Sequence, residues 1–373
     1  MAGHHCGRAC TLPRICNHGA SRDELTQGRS MGRATRWNWL ALALLPGLVM
    51  AAPEQVPLYR EIKDWAVGCD NTRACTALLA IDDELMTGLH TIVRREAGPK
   101  GKLELTLRVG PTYVDQLLLD GQPLSAGWQH IQRQYDYDLR LEGDGALTLL
   151  RQLRNGAQLS ALTEDGELIA SLQGLSGALL VIDAVQGRVG HTDALVRVGD
   201  APAASVPDAP PVARLPRYSA VPALDDNHRQ EMGDAVLRWA TEQGVMEDSR
   251  YNNLELHPLD EAHALGILST GCSGEFCANY LYRVSRSAPY QVSELSVEAP
   301  VPLLAPNLSG FMAFDALTGQ LYATDKSLLE RGCGLVQHWR YDGMVMRPER
   351  VARMDRCGYV KPEFWPVLWR AEG

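Results

Sequence analysis

The stretch DWAVGCDNTRACTAL, Asp64–Leu78, contains two cysteines that bracket a short charged segment. Residues 70–74 (DNTRA) favour a tight turn, because Asp and Asn side chains readily hydrogen-bond to nearby backbone groups. Such a turn would place Cys69 and Cys75 opposite each other across a β-hairpin, at a separation that a disulfide can span. The alternatives for this pair are a redox site and one half of a metal site.

An export signal is predicted for residues 31–51. Met31 is followed by a basic stretch, by the apolar run 37–49 and then by small residues, which is the order of a secretory signal peptide. We expect cleavage after Ala51 or Ala52. The apolar run is too short to anchor a helix across a bilayer of about 30 Å, so we expect a released protein without a transmembrane anchor. A retained N-terminal anchor helix is the alternative.

Residues 1–30 are interpreted as an upstream extension that is absent from the exported protein. Their cysteines and histidines could be drawn as a zinc site, but a metal-binding tail ahead of a signal peptide would lie on the wrong side of the export machinery. Removing residues 1–51 leaves 322 of the 373 residues. The loss of six arginines and two acids changes the net charge from −9 to −13. This acidity argues against nucleic acid or an anionic membrane as a partner.

The exported chain keeps six cysteines, and an even number in an oxidising compartment indicates disulfides. Proximity in the sequence favours pairing each cysteine with the next one, although other connectivities are possible. CDNTRAC and CSGEFC lack the C-x-x-C spacing of redox sites, and a zinc half-site of CSGEFC with His263 lacks a second Cys/His pair. We therefore predict structural disulfides among Cys69, Cys75, Cys272, Cys277, Cys333 and Cys357.

A Pro/Ala-rich segment, residues 200–217, has the composition of a linker and divides the exported chain into two parts, 52–199 and 218–373. Period-two alternation in 102–109 and 135–142 predicts half-buried strands. Helical patterns occur in ALTLLRQLRNG (146–156), SGALLVIDAVQG (176–187) and DNHRQEMGDAVLRWATEQG (226–244), each ending at glycine. Short strands separated by Gly, Pro and Asp turns follow the last of these. We expect a mainly β (α+β) protein with two β-rich domains and a few short helices.

Four separated segments resemble a known family: KDWAVGCDNTRACTAL, SLQGLSGALLVIDAVQGRVGHTDALVRVGDAPAASVP, ERGCGLVQHWRYDGMVM and CGYVKPEFWPVLWRA. They are similar to the bacterial exported family known as domain of unknown function 1176, which carries six cysteines at matching places. The first part of the chain is more weakly similar to the invasion-associated locus B family. The resemblance implies an exported two-part protein and no assigned reaction.

Catalytic templates match poorly. GLSGA departs from the nucleophile elbow G-x-S-x-G at its last position, so Ser176 is interpreted as a helix N-cap. HPLDEAH is not H-E-x-x-H, and its Pro258 disfavours the helix that would orient His257 and His263. LEGDGALT, LTEDGELI and FDALTGQL lack the alternating carboxylates of calcium loops and are interpreted as hairpin turns. We expect no metal and no cofactor.

Two candidate binding surfaces remain. One is the disulfide loop, whose aromatic, acidic and basic groups stand beside a rigid element. The other consists of arginines flanked by glycines, which could bind an anion through backbone amides. Core packing, an Asx turn and helix ends are the structural alternatives, and we favour them. The candidate residues are Asp64, Trp65, Asp70, Asn71, Arg73, Arg188 and Arg331. Trp365 and Trp369, four residues apart, predict a terminal helix docked on the core.

The expected function is that of an exported, non-enzymatic binding or interaction module of the cell envelope. Its partner would be an envelope protein or a small ligand. One alternative is an envelope hydrolase with a scattered carboxylate or Ser/His site, which a cleft lined by His257, His263 or His338 with acids would favour. The other is a surface or invasion-associated structural protein.

Overall fold

The computed structural model describes residues 55–80, 88–133, 136–245, 253–274 and 276–373. The predicted signal peptide and upstream extension lie outside these ranges. Strands outnumber helices throughout the described chain, so the mainly β class is confirmed.

In the described residues, eleven strands and two helices precede the predicted linker. The strands are β1 (Leu58–Ile62), β2 (Trp65–Cys69), β3 (Cys75–Leu79), β4 (His90–Arg95), β5 (Leu103–Gly110), β6 (Val114–Leu119), β7 (Gln122–Leu124), β8 (Gln129–Gln132), β9 (Tyr137–Glu142), β10 (Gln158–Thr163) and β11 (Gly166–Ser171). The helices are α1 (Gly143–Leu153) and α2 (Leu175–Val185).

The rest of the described chain has ten strands, the first of them inside the predicted linker, and two helices. The strands are β12 (Ala213–Arg214), β13 (Asn253–Pro258), β14 (His263–Ser273), β15 (Phe276–Ser285), β16 (Val292–Glu294), β17 (Phe311–Asp315), β18 (Gln320–Thr324), β19 (Gly334–Tyr341), β20 (Met346–Met354) and β21 (Val367–Glu372). The helices are α3 (Asp226–Glu242) and α4 (Lys326–Glu330).

The first half contains two antiparallel sheets. The larger has the order β1-β2-β3-β4-β5-β9-β8, and the smaller has the order β11-β10-β6-β7. Their inward faces share one apolar cluster with the buried sides of α1 and α2. The alternation predicted in 102–109 is observed in β5, where Leu103, Leu105 and Leu107 are buried.

Helix α2 begins two residues earlier than an N-cap at Ser176 predicts. Ser176 is its second residue rather than its N-cap, so that expectation is wrong. The cap is Gly174, whose φ is 98°. A Cβ at that position would lie 2.0 Å from the carbonyl oxygen of Ile62, so the close approach of β1 requires glycine. Gly187 ends the helix with a φ of 68°, as expected for a residue just beyond a helix.

The second half also contains two sheets, of orders β12-β21-β20-β19-β18-β17 and β13-β14-β15-β16. Helix α3 has Asp225 as its N-cap, whose carboxylate accepts from the backbone N–H groups of Asn227 and His228. Strand β12 lies within the predicted linker and pairs in parallel with β21, at Ala213 opposite Ala371.

A large apolar cluster joins the two halves. Residues on β2, β3 and β4 pack against residues on β19 and β20 and on the segment that leads to β21. The buried members are Ala66, Leu78, Ala80, Ile92, Val336, Ala352, Met354, Val360, Phe364 and Trp365. The division of the chain at residues 200–217 stays a prediction about domain boundaries, and the two sides share this core.

The C-terminal segment is a strand, so the terminal helix predicted from Trp365 and Trp369 is wrong. A short 3₁₀ helix, Pro362–Phe364, leads into β21. Pro366 accounts for the difference, because it disfavours helical backbone at Trp365 and cannot donate a helical hydrogen bond. The indole N–H of Trp365 donates to the carbonyl of Val360 at 2.7 Å, and that of Trp369 donates to the carbonyl of Pro348 at 3.1 Å.

Candidate functional site

The six cysteines form the predicted pairs, Cys69–Cys75, Cys272–Cys277 and Cys333–Cys357. Cys69 and Cys75 are direct register partners of β2 and β3. The opening stretch of the sequence is therefore a disulfide-closed hairpin.

The turn of that hairpin is held by Asp70, whose side chain is fully buried. Its Oδ1 accepts from the backbone N–H groups of Thr72 at 2.8 Å and Ala74 at 3.1 Å, and from the Thr72 hydroxyl at 2.7 Å. This is the predicted Asx turn. Arg73 completes the turn with a φ of 62°, and its carbonyl accepts from Nε2 of Gln186 at 2.9 Å.

The same turn is fastened to the last strand of the protein. Asn71 Nδ2 donates to the carbonyl of Arg370 at 3.0 Å, and the N–H of Arg370 donates to Asn71 Oδ1 at 2.9 Å. The other carboxylate oxygen of Asp70 forms an ion pair with the Arg370 guanidinium. Asp70 and Asn71 thus join the hairpin to β21.

Asp64 and Trp65 connect β2 to β11. Trp65 is fully buried, and its indole N–H donates to the carbonyl of Ser171 at 3.2 Å. The Ser171 hydroxyl donates to Asp64 Oδ2 at 2.5 Å. These two candidates therefore lie at the end of β2 that is farther from the turn formed by Asp70 and Asn71.

Arg188 and Arg331 lie in different environments. Arg188 is fully buried, and its guanidinium donates to Gln186 Oε1 at 2.9 Å, to the carbonyl of Gly98 and to Asp193. Arg331 is exposed, and its carbonyl accepts from the N–H groups of Gly358 at 3.1 Å and Tyr359 at 2.9 Å. The seven candidate residues do not form one surface.

The three histidines considered for catalysis are separated. His263 Nδ1 lies 2.9 Å from Asp260 Oδ1, and His257 Nε2 lies 3.3 Å from Glu255 Oε2. His338, on β19, packs edge-on against Tyr322 with ring centroids 5.1 Å apart. In the ranges given above, no group of three His, Cys, Asp or Glu residues is arranged to hold a metal ion.

A cleft of about 500 Å³ opens between the larger sheet of the first half and the C-terminal segment, beside the Cys69–Cys75 disulfide. Strand register explains much of its polar wall: the pairs Thr76 opposite Arg94, Arg94 opposite Glu104, and Glu104 opposite Glu142 form one row across β3, β4, β5 and β9. Directly opposed residues project from the same face of a sheet. The second half contributes Glu363, Trp365, Val367 and Arg370.

The charges on this wall are only partly paired. Arg140 Nε lies 3.5 Å from Glu104, and Arg140 Nη1 lies 4.0 Å from Glu142. Arg94 donates to the carbonyl of Glu363 at 2.7 Å, and no carboxylate of the described residues lies within ion-pair distance of it. Burial lowers the pKa of Arg94. A ligand entering the cleft would meet both signs of charge.

Phe364 is buried between Glu363 and Trp365 in the chain, two residues that line the cleft. Three guanidinium groups of the first half lie over its ring, with distances to the ring centroid of 4.3 Å for Arg108, 5.2 Å for Arg133 and 5.6 Å for Arg94. These are cation–π distances. These three arginines, here called the arginine cage, hold the C-terminal segment against the first half.

The family model described as "Protein of unknown function (DUF1176)" matches residues 59–372. This chain belongs to that family. The uncharacterized protein YpfG of Escherichia coli (strain K12) is 29% identical over 348 residues, which is 88% of this chain and 96% of YpfG. No solved structure matches the chain. The matched range includes the cleft and all three disulfides.

The sequence prediction found the disulfide hairpin beside the cleft but missed the cleft itself. The alternation in 102–109 and 135–142 did place Glu104, Arg140 and Glu142 on the polar sides of two strands. Arg94 and Arg370 come from strands whose register the sequence does not specify. In the part of the chain that the structure covers, no helix combines the length and apolarity needed to cross a bilayer.

Proposed function

We propose that this protein is exported to the periplasm and acts there as a binding or interaction module, with the cleft beside Cys69–Cys75 as its binding site. The observation that carries the proposal is the cleft: both halves of the chain line it, the disulfide hairpin forms part of its wall, and the arginine cage holds the adjoining C-terminal segment in place. Binding residues are commonly held in this way on a rigid scaffold.

Export is supported by two features. The sequence of residues 31–51 has the order of a signal peptide. The three disulfides are typical of proteins that fold in an oxidising compartment.

A small ligand fits the cleft better than a protein partner. Its volume of about 500 Å³ lies within the range of small-molecule sites. The wall offers the hydroxyl of Thr76, the carboxylates of Glu104 and Glu142 and the guanidinium of Arg94 for polar contacts, and the apolar side chains of Trp365 and Val367 lie beside them. This combination suits a small polar molecule that carries charge.

Native mass spectrometry of the protein released from the periplasm tests the proposal. We expect a polypeptide that starts at residue 52 or 53, lacks six hydrogens and carries a small-molecule adduct. Glu142→Trp should remove the adduct, because Glu142 is half-exposed at the edge of the cleft and an indole there would fill it. Glu167→Trp, a change of the same kind at an exposed strand residue outside the cleft, should retain it.

A chain that is found in the cytoplasm with its leader intact would refute export. An adduct that survives Glu142→Trp would refute the cleft as the binding site, as would an adduct-free protein whose melting temperature is unchanged by a panel of amino acids, sugar phosphates and peptides.

A second function, hydrolysis, is favoured by one observation: Glu104 and Glu142 are direct cross-strand partners inside the cleft. Neighbouring carboxylates can serve as acid and base in glycoside cleavage. Both already lie near Arg140, so we favour binding. Release of soluble fragments from labelled peptidoglycan, abolished by either Glu104→Gln or Glu142→Gln, would establish hydrolysis instead.

A further inference from the structure

We propose that the ligand of the cleft carries an oxyanion group, carboxylate or phosphate, which is bound by Arg94, Arg350 and Arg370. This inference rests on the proposed function and gives its ligand a chemical class.

The three arginines converge from two sheets. Arg350 on β20 is the direct register partner of Arg370 on β21, so the two side chains project from the same face of the sheet as neighbours. Arg370 and Arg94 both line the cleft, one from each half of the chain. Arg350 does not itself line the cleft, but it is half-buried beside Arg370, and the charges of Arg370 and Arg94 both act on it.

These positive charges are only partly balanced by the protein: Glu104 is the cross-strand partner of Arg94 and counteracts the fall of its pKa, but it lies outside ion-pair distance. Arg370 is paired with Asp70, which is itself fully buried. In the described residues, no carboxylate lies within ion-pair distance of Arg94 or Arg350, and the Arg350 guanidinium has no hydrogen-bond partner there. Within ion-pair distance, the three guanidinium groups thus have one carboxylate of the described residues among them, that of Asp70.

Electrostatics and burial agree with this geometry. Burial lowers the pKa of Arg350, and the charges of Arg370 and Arg94 lower it further. Removing a guanidinium from water without a counter-charge is costly. An anion at this place would offset that cost for all three arginines.

The nearby glutamates do not neutralise the three arginines. Glu104 and Glu363 also act on Arg94, but their carboxylates are shared with Arg140 and Arg133, at 3.5 Å and 3.4 Å. Glu142 lies 4.0 Å from Arg140. The surrounding chain is acidic as a whole, with a net charge of −9. The arginine cluster is therefore a local exception, which general surface charge does not explain.

Guanidinium chemistry sets the class of ligand. The planar fork of arginine matches carboxylate and phosphate oxygens, often with two parallel hydrogen bonds. The remaining lining, Thr76, Glu104 and Glu142, offers acceptors to hydroxyl or amino groups of the same molecule. The expected ligand is a small anionic molecule with hydrogen-bond donors.

The test measures melting temperature and calorimetric binding with two probes, inorganic phosphate and acetate, in a buffer of low ionic strength. Wild type should bind at least one of them and melt at a higher temperature when it is present. Arg350→Gln should weaken that binding by about tenfold or more. In the absence of anion it should raise the melting temperature, because it removes a like-charge repulsion.

Arg353→Gln is the matched control. It lies on the same strand but is paired with Asp355 at 2.7 Å, so its loss should leave anion binding intact and should not raise the melting temperature. Arg350→Lys keeps the charge and loses the fork, and should bind with intermediate affinity.

Equal anion binding by wild type and Arg350→Gln would overturn the inference, as would a lower melting temperature of the anion-free variant. If Glu142→Trp removes the periplasmic adduct while Arg350→Gln retains it, the binding function stands and the oxyanion class fails. If Arg350→Gln removes the phosphate or acetate response while no adduct occupies wild type, the anion site stands and the small-molecule function fails.

Discussion

At the scale of single residues, His338 has a charge state that depends on Arg350, a member of the cluster Arg94, Arg350 and Arg370. It is the register partner of Arg350 on the adjacent strand and packs against Tyr322. Burial, together with the charge of Arg350, lowers the pKa of His338 below its usual value of 6.5. The folded protein therefore holds this imidazole neutral over a pH range in which the unfolded chain would protonate it.

The free energy of unfolding should consequently fall as the pH drops below about 6.5. Between the folded and unfolded pKa values of His338, the unfolded state binds more protons, so acid favours unfolding and stability rises again with pH. Urea denaturation at pH 7.5 and pH 5.5 measures this loss. His338→Gln should reduce it, and His228→Gln, at an exposed helix residue, should not. An identical loss in wild type and His338→Gln would contradict the assignment.

Among the secondary-structure elements, the 3₁₀ helix Pro362–Phe364 is only three residues long but helps to hold the C-terminal segment against the first half. Its last residue, Phe364, is 2% exposed and carries three guanidinium groups of the first half over its ring. Large buried aromatic side chains contribute strongly to packing, and cation–π contacts add to that contribution.

We expect Phe364→Ala to lower the free energy of unfolding by about 3–5 kcal/mol. Phe276→Ala removes the same side chain from a position that is 52% exposed and should cost about 0.5 kcal/mol or less. Urea denaturation of the three proteins decides between these outcomes. A similar small loss for both variants would mean that the arginine cage does not hold the C-terminal segment.

The elements that could be predicted from the sequence are those specified by local patterns. The helices at 143–153, 175–185 and 226–242 follow apolar periodicity that ends at glycine, and the disulfide hairpins follow turn residues between nearby cysteines. The helix predicted from the four-residue spacing of Trp365 and Trp369 does not form, because Pro366 lies between them and disfavours helical backbone. The cleft could not be predicted, because its walls depend on the exact registers of β3, β4, β5 and β9 and on the packing of β21 against the first half. No local sequence pattern encodes these features.

At the scale of the whole molecule, the shared core couples the two halves. Leu78 on β3 is fully buried in the cluster that also contains Val336 and Ala352 from the second half. Leu78 therefore packs against residues from both halves of the chain, before and after the segment 200–217.

Leu78→Ala should lower the free energy of unfolding by about 2–5 kcal/mol and should do so for both halves together. Hydrogen exchange of peptides from β5 and from β19, recorded across a urea series, should show one coincident transition in wild type and in the variant. Leu317→Ala, at a side chain that is 79% exposed, should leave the transition unchanged. A variant that unfolds β5 while β19 keeps its wild-type protection would show instead that the halves are independent.

The pairing of Asn71 with Arg370 also determines when folding can finish. The two residues are 299 positions apart in the chain, so this contact closes a very long loop and contributes to a high contact order. During synthesis the first hairpin emerges early, but the strand that completes its hydrogen bonds is made almost last. The turn of the first hairpin therefore cannot gain its hydrogen bonds to Arg370, and the cleft cannot gain its second wall, before the final strand has been made.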